Sequence, residues 1–599
     1  MAAMTRQVAL TALLTALCLP GSAGAQEAEP ILMFSMLRNG DFSLPPEPRV
    51  VAGGVPWWLL RGASCSLHEV DGQSWLLTEK DGIGYQPLPA YAPMTEGLVI
   101  RGRVRGVGRI ALIDGEGRRA QYDCGAAGEP VDFEWRGAAI RGALGSAPLP
   151  RMTLVLGAVP PASAGWTDLE VLVPLPCPSE KALRAEIVRL LHATLDPWIE
   201  RGIDGVGPRR TGLVCHIFDA VTGERTKTQE AGYHPLIETL FDAVRHEPDP
   251  LWVAALERYI EDFLTLLIHP QTGLPRMWNC EQDVPLDERF LEIHAAFRFL
   301  LDIAERGPAA FRARALAAAE KLAESALASG VLPDGNVAPL YRPSDGASSN
   351  EARVLRRLDV PLQMTRLAAL NGDARLLEAA RDAVATLLYM HYWPGSWNRI
   401  DPGFDDDFGH YAARAAAMAQ SFPEEVLFRR VVDSGWERYR ELWPQALRFG
   451  GSMAADQVRC WKLLLEYSDL RPQMRPELGE LLVEAVHSHL RGQQYGNGAW
   501  GDVTYYGYQP VVDLQVGDLP GTPSNLLEGL ATIYGSGLGP SEEELRALFT
   551  AVLRSSVETY GREFGLLSTM RESDGRNDAG GSLRIGPALT LMLAQLGEG

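Results

Sequence analysis

The sequence predicts a multidomain β + α chain: an N-terminal β-sandwich, jelly-roll-like, over residues 26–178, then a ring of about six helical hairpins over 179–599. Three observations carry that reading. Between residues 31 and 175 about eight short strand-like runs are punctuated by Gly, Pro and Asp at strand-and-turn spacing. After the proline-rich Pro174-Leu-Pro-Cys-Pro178 the hydrophobic period changes from that of strands to that of helices and stays there. Within the helical part, loops opening on Gly212, Gly273, Gly330, Gly395, Gly498 and Gly565 follow helix ends at about the spacing of one hairpin plus a long loop.

In chain order, Arg6 precedes an apolar run, Val8 to Leu19, and Pro20-Gly-Ser-Ala-Gly-Ala25, the small-x-small ending of an export signal cut after Ala25. Spanning a bilayer takes roughly 18–20 uncharged residues. The run is shorter, so a secreted or periplasmic protein without membrane insertion is expected. Strands are expected at 31–35, 57–60, 74–78, 97–104, 108–113, 131–135, 152–157 and 169–175. Helices are expected from Glu180 onward, among them Pro235–Leu267, Pro285–Ala304, Val360–Leu370, Ala374–Met390 and Phe408–Gln420.

Beyond Cys18, six cysteines remain and none forms a C-x-x-C pair, which argues against a zinc ribbon or redox motif. Cys65 and Cys124 fall in strand-like segments of one domain and are the expected partners of a disulfide. With 76 acidic against 56 basic residues the net charge is -20, which disfavours nucleic acid and anionic membranes and leaves a neutral ligand as the best fit.

The chemistry-bearing residues gather in three loops. The central one, 391–411, holds Trp393, Trp397, Asp401, Asp405, Asp406, Asp407, His410 and Tyr411. Adjacent carboxylates repel one another, so something positive is expected beside them. Asp407 can cap a helix beginning at Phe408, which leaves Asp405 and Asp406 as surplus carboxylates. Asp401, Asp405 and Asp407 alternate as oxygen ligands of a Ca2+ ion would, although no cofactor is required by the sequence. His410, in the first helical turn, is a neutral base or ligand, and Arg414 one turn on can hold a carboxylate. The second loop, 273–288, offers Trp278 for stacking and Glu281 as a partner carboxylate. The third, 496–521, offers Trp500, Asp502, Tyr505, Tyr506 and Asp518 as flat faces and acceptors for sugar rings, and loops of that length usually cover a site.

In architecture and loop character, residues 180–599 resemble the (α/α)-toroid enzymes that act on polysaccharides. Leu37-Arg-Asn-Gly-Asp-Phe-Ser-Leu44, followed by Trp57-Trp58, resembles the first strands of the jelly-roll modules that accompany such enzymes. The resemblance implies a polysaccharide or oligosaccharide in a central cavity. It also implies paired Asp or Glu as catalysts in hydrolases, or Tyr or His with Asn, Gln or Arg in lyases. Glycosidic hydrolysis comes first, because acidic residues outnumber basic ones in the three loops. Elimination on a uronic polymer by His410 or Tyr411 with Arg is the alternative, and a non-catalytic glycan-binding protein the third reading. Oligomeric state is not legible.

Overall fold

The structure is a computed structural model. It describes residues 31–597, apart from the segments 44–57, 89–96, 145–151, 350–357, 392–405, 450–460, 493–504, 511–520, 562–568, 571–576 and 579–584 and a few shorter breaks.

An N-terminal multi-stranded region precedes a largely helical one. Its first sheet runs in the order 65–70, 73–79, 163–176, 99–106, 131–136, with strand 31–35 also on 163–176; the second runs 59–61, 83–88, 152–158, 108–114, 119–124. Every pairing is antiparallel. Alternation builds the interface: Ile100 and Val104 of one sheet and Ile110, Leu112, Leu154 and Leu156 of the other are fully buried in one core. Trp166 sits at its centre, its indole N–H donating to Thr78 Oγ1 at 3.2 Å and its ring meeting Phe133 edge-on. Asp71-Gly72, both with positive φ, make the tight turn between 65–70 and 73–79. No disulfide joins Cys65 to Cys124; they lie on the outer strands of different sheets, which corrects the pairing expected above.

A short helix α1 (Gly137–Leu144) interrupts the strands. The helical region then follows: α2 (Glu180–Arg201), α3 (Leu236–His246), α4 (Pro250–Asp262), α5 (His294–Arg306), α6 (Ala309–Gly330), α7 (Asp359–Asn371), α8 (Ala374–His391), α9 (Asp406–Ser421), α10 (Val426–Phe449), α11 (Arg475–Gly492), α12 (Gly521–Ile533), α13 (Glu542–Tyr560) and α14 (Gly586–Gln595). Caps explain several boundaries. Ser179 and Ser541 accept from the free amides of α2 and α13. Asp249 caps α4 ahead of Pro250, which divides the single helix expected over 235–267 into two. Gly372, in the left-handed region, ends α7 and lets α8 fold back on it.

Helices pair as consecutive hairpins (α5 with α6, α7 with α8, α9 with α10), and alternate members also touch, α5 with α7 and α7 with α9. Because hairpin partners are antiparallel, α3, α5, α7 and α9 run in one direction. The last helix, α14, packs on α3 and α2, so the helical region begins and ends in one place. Arg554 on α13 reinforces that seam by pairing with Glu186 on α2 at 2.9 Å. The strands join the helices through Phe34 against His487, and through Cys177, whose thiol donates to Glu543 O at 3.3 Å. Among the described residues, no helix is long and apolar enough to cross a membrane.

Candidate functional site

The series α3, α5, α7, α9 is laced by ion pairs. Glu238 of α3 meets Arg298 of α5, and Asp242 one turn on meets Arg306 at 3.2 Å. Asp302 and Glu305 of α5 receive Arg366 of α7 at 3.0 and 2.6 Å, and Asp359 of α7 receives Arg414 of α9. Surface ladders of this kind are usually well hydrated. This one differs at its α3–α5 end. Burial raises the Tyr233 phenol well above its ordinary range, lifts the Asp242 carboxyl and lowers His234 to about 4. Solvent nevertheless still reaches each of them. These groups are strongly desolvated and yet keep partly exposed side chains, which sets them apart from the rest of the ladder.

The cluster has a definite chemistry. The segment before α3 is fixed as a strand-like bridge, Ala231 exchanging backbone hydrogen bonds of 2.8 and 2.7 Å with Trp278, and it delivers Tyr233 and His234 to the mouth of the helix. Beneath Tyr233 lie the rings of Phe263 and Phe299, with Tyr259 packed on both. Tyr233 Oη and the Arg298 guanidinium both donate to Oε1 of Glu238. Oε2 of the same carboxylate carries no hydrogen bond among the described residues. One oxygen is therefore anchored and the other presented. Asp242, on the same face, keeps its proton to higher pH because it is buried beside Asp302 and Glu238, against the pull of Arg306 and Arg245.

His234 has a consequence for stability. The folded imidazole protonates only near 4, against about 6.5 when free. Between those values the unfolded chain binds the extra proton, so the contribution is complete above pH 6.5 and lost as pH falls toward 4, roughly 2 kcal/mol in all after allowing for partial exposure. His234→Gln is expected to lose less stability than wild type between pH 7 and 4.5 in urea melts. Parallel pH curves for the two proteins would contradict this.

The residues expected from sequence fall into three groups. Asp401, Asp405, Trp393, Trp397, Trp500, Asp502 and Asp518 lie outside the described residues, and with them most of the expected Ca2+ shell. Asp406, Asp407 and His410 form the start of α9, and Tyr505 and Tyr506 a two-residue strand paired with Gln509 and Pro510, but their side chains are outside the description. The helix starts at Asp406, so Asp407 stands within its first turn and does not cap it. The rest are placed. Tyr411 is fully buried in the helical core, Arg414 is engaged by Asp359, and Glu281 is exposed at the turn of the hairpin 277–286. Trp278 is 5% exposed, its indole nitrogen buried without a protein partner. Sequence reasoning passed over Tyr233, His234, Glu238 and Asp242. Their signal was present: Tyr-His-Pro ahead of a helix whose acids recur one turn apart.

A second cluster lies behind the first, where the loop 203–213 wraps on the hairpin. Gly207 packs so closely that a Cβ there would lie 2.0 Å from the carbonyl oxygen of Cys280. Gly207→Ala is expected to displace the loop and cost about 2 kcal/mol, read as a fall in the denaturation midpoint; an unchanged midpoint would show the loop to be loosely held.

No protein-family model matches the chain, and no curated protein matches it. Among solved structures it is distantly similar to carbohydrate-active enzymes. An alpha-1,2-mannosidase from Trichoderma reesei matches at 13% identity over 70% of this chain and 94% of that one, with a TM-score of 0.47. A cellobiose 2-epimerase from Bacillus thermoamylovorans matches at 12% identity over 69% and 99%, TM-score 0.42. A D-mannose isomerase matches at 12% identity over 68% and 97%, TM-score 0.42.

Proposed function

We propose that this chain is an exported carbohydrate-active enzyme whose helical region closes into an (α/α) toroid and whose recess at α3 and α5 takes a sugar for glycosidic hydrolysis. The observation that carries this reading is the Glu238 carboxylate, anchored through one oxygen by Tyr233 and Arg298 and open at the other. That geometry suits a base that activates water, or a nucleophile at the anomeric carbon. Asp242, whose carboxyl burial lifts above its ordinary range, takes the role of proton donor to the leaving oxygen in this reading. Tyr233, partly buried on Phe263 and Phe299, offers the outer edge of its ring to a pyranose.

The return of α14 onto α2 and α3 supports the closed ring. The loops 273–288, 392–411 and 496–521 precede or lead into α5, α9 and α12. For α5 and α9 the common helix direction supports reading those loops as gathered at the end of the ring where Tyr233 opens, with Asp405, Asp406 and the aromatic residues extending the sugar site. A second reading, elimination on a uronic sugar, is favoured by one observation: His234, kept neutral by burial, is next in the chain to Tyr233, whose phenol stays protonated beside Arg298, so that a base, an acid and a cation such a reaction needs are present in one segment and its neighbour. Incubation with a panel of neutral and uronic oligosaccharides separates the two. New reducing ends without ultraviolet absorbance of an unsaturated uronide are expected. That absorbance would replace hydrolysis by elimination, and no product from any member of the panel would overturn the enzymatic reading.

A further inference from the structure

Behind the recess, Asp204, Cys215 and Cys280 are all buried, and a carboxylate oxygen and the two sulfur atoms lie within 4.8 Å of one another. Such a trio admits either a cation or a bond between the sulfurs, and the hydrogen bonds decide between them. Oδ1 of Asp204 accepts from the amides of Val206 and Gly207 at 3.0 and 3.3 Å. Oδ2 accepts from the amide and the hydroxyl of Thr211 at 2.9 and 3.1 Å. Those bonds fill the acceptor positions a carboxylate offers, and they hold Asp204 ionised although burial opposes it. A cation would have to break up the loop that Asp204 organises, and two sulfurs alone are too few ligands for a structural zinc site.

We propose that Cys215 and Cys280 are joined by a disulfide in the exported protein. Both are free thiols in this structure, and their sulfurs, within 4.8 Å of one another, need only close to about 2.05 Å. One thiol, as thiolate, attacks the disulfide of an oxidised dithiol carrier and forms a mixed disulfide. The second thiol then displaces the carrier, which leaves as its dithiol with the two electrons and two protons. Its hydrogen bond with Cys280, and after that burial, raise the Cys215 thiol, so the closed pocket is unreactive and the bond forms while the chain is still folding. Its consequence reaches the recess. Cys280 follows the strand residue Trp278 that clamps Ala231, so the bond ties down the segment presenting Tyr233 and His234.

The test uses the full chain made with its export signal, collected without reductant, and denatured in the presence of an alkylating reagent before digestion. The peptides carrying Cys215 and Cys280 are expected as one linked species, two hydrogens lighter than their sum, that separates on reduction. Cys215→Ser and Cys280→Ser are each expected to lower the melting temperature by about 4 °C, and dithiothreitol to bring wild type down to the same value. Both peptides emerging alkylated before reduction would overturn the proposal. One equivalent of zinc per chain by elemental analysis would overturn it equally.

Discussion

Glu238→Gln is expected to lower kcat/KM on the substrate by about a thousandfold while leaving the fold intact. The amide keeps a carbonyl oxygen where Oε1 accepts from Tyr233 and Arg298, so the anchoring survives. What disappears is the charge and the open oxygen, which becomes an N–H donor and can neither activate water nor attack carbon. Circular dichroism and the melting curve should stay close to wild type, since Gln matches Glu in shape and keeps the oxygen that accepts from Tyr233 and Arg298. Tyr233→Phe, which removes one anchoring donor and spares the carboxylate, should cost about tenfold. Undiminished turnover by Glu238→Gln would move the catalytic carboxylate elsewhere, and the acids at 405–407 would be the next to replace.

Arg414→Ala is expected to destabilise the protein by about 3 kcal/mol. Asp359 is 6% exposed at the start of α7, and Arg414 crosses from α9 to meet it. Removing the guanidinium takes a cation from a buried carboxylate, which costs more than losing a surface pair. Arg414→Lys keeps a charge without the planar fork and should lose about 1 kcal/mol. Urea midpoints measure both. If Arg414→Ala instead unfolds at the wild-type midpoint but no longer binds substrate, then the ligand role expected from sequence is its real one.

What was legible follows burial in part: the inner strand 83–88 was missed, and the outer strand 131–136 was expected. Strands 31–35, 99–106, 108–114, 152–158 and 163–176 alternate or run apolar because they line the core, and each was visible in the sequence at least in part. Strands 65–70 and 119–124 were not. They are the outer strands of their sheets, with half their residues or more in water, and Cys-Ser-Leu-His-Glu-Val and Arg-Ala-Gln-Tyr-Asp-Cys carry little hydrophobic period. Helices with an apolar stripe were placed to within a few residues, but 285–293 was drawn into α5 although it folds as strand pieces ahead of it. The recess was the least legible part. Glu238 and Arg298 stand 60 residues apart in sequence and are brought together only by α3 meeting α5. Acidic runs in loops are conspicuous to the eye, whereas an acid made special by a tyrosine and an arginine from elsewhere has no local signature.

The guanidinium of Arg184 in the first long helix grips the backbone of Gly597, 413 positions downstream. Contacts of such sequence separation make assembly slow, and no hydrophobic seam can be sealed until the terminal segment has arrived. During folding the polypeptide is therefore obliged to wait, with the apolar side of α14, Leu589, Met592 and Leu593, supplying the final closure. Clipping the tail by a single turn would leave a gap in the wall and not merely a shorter end.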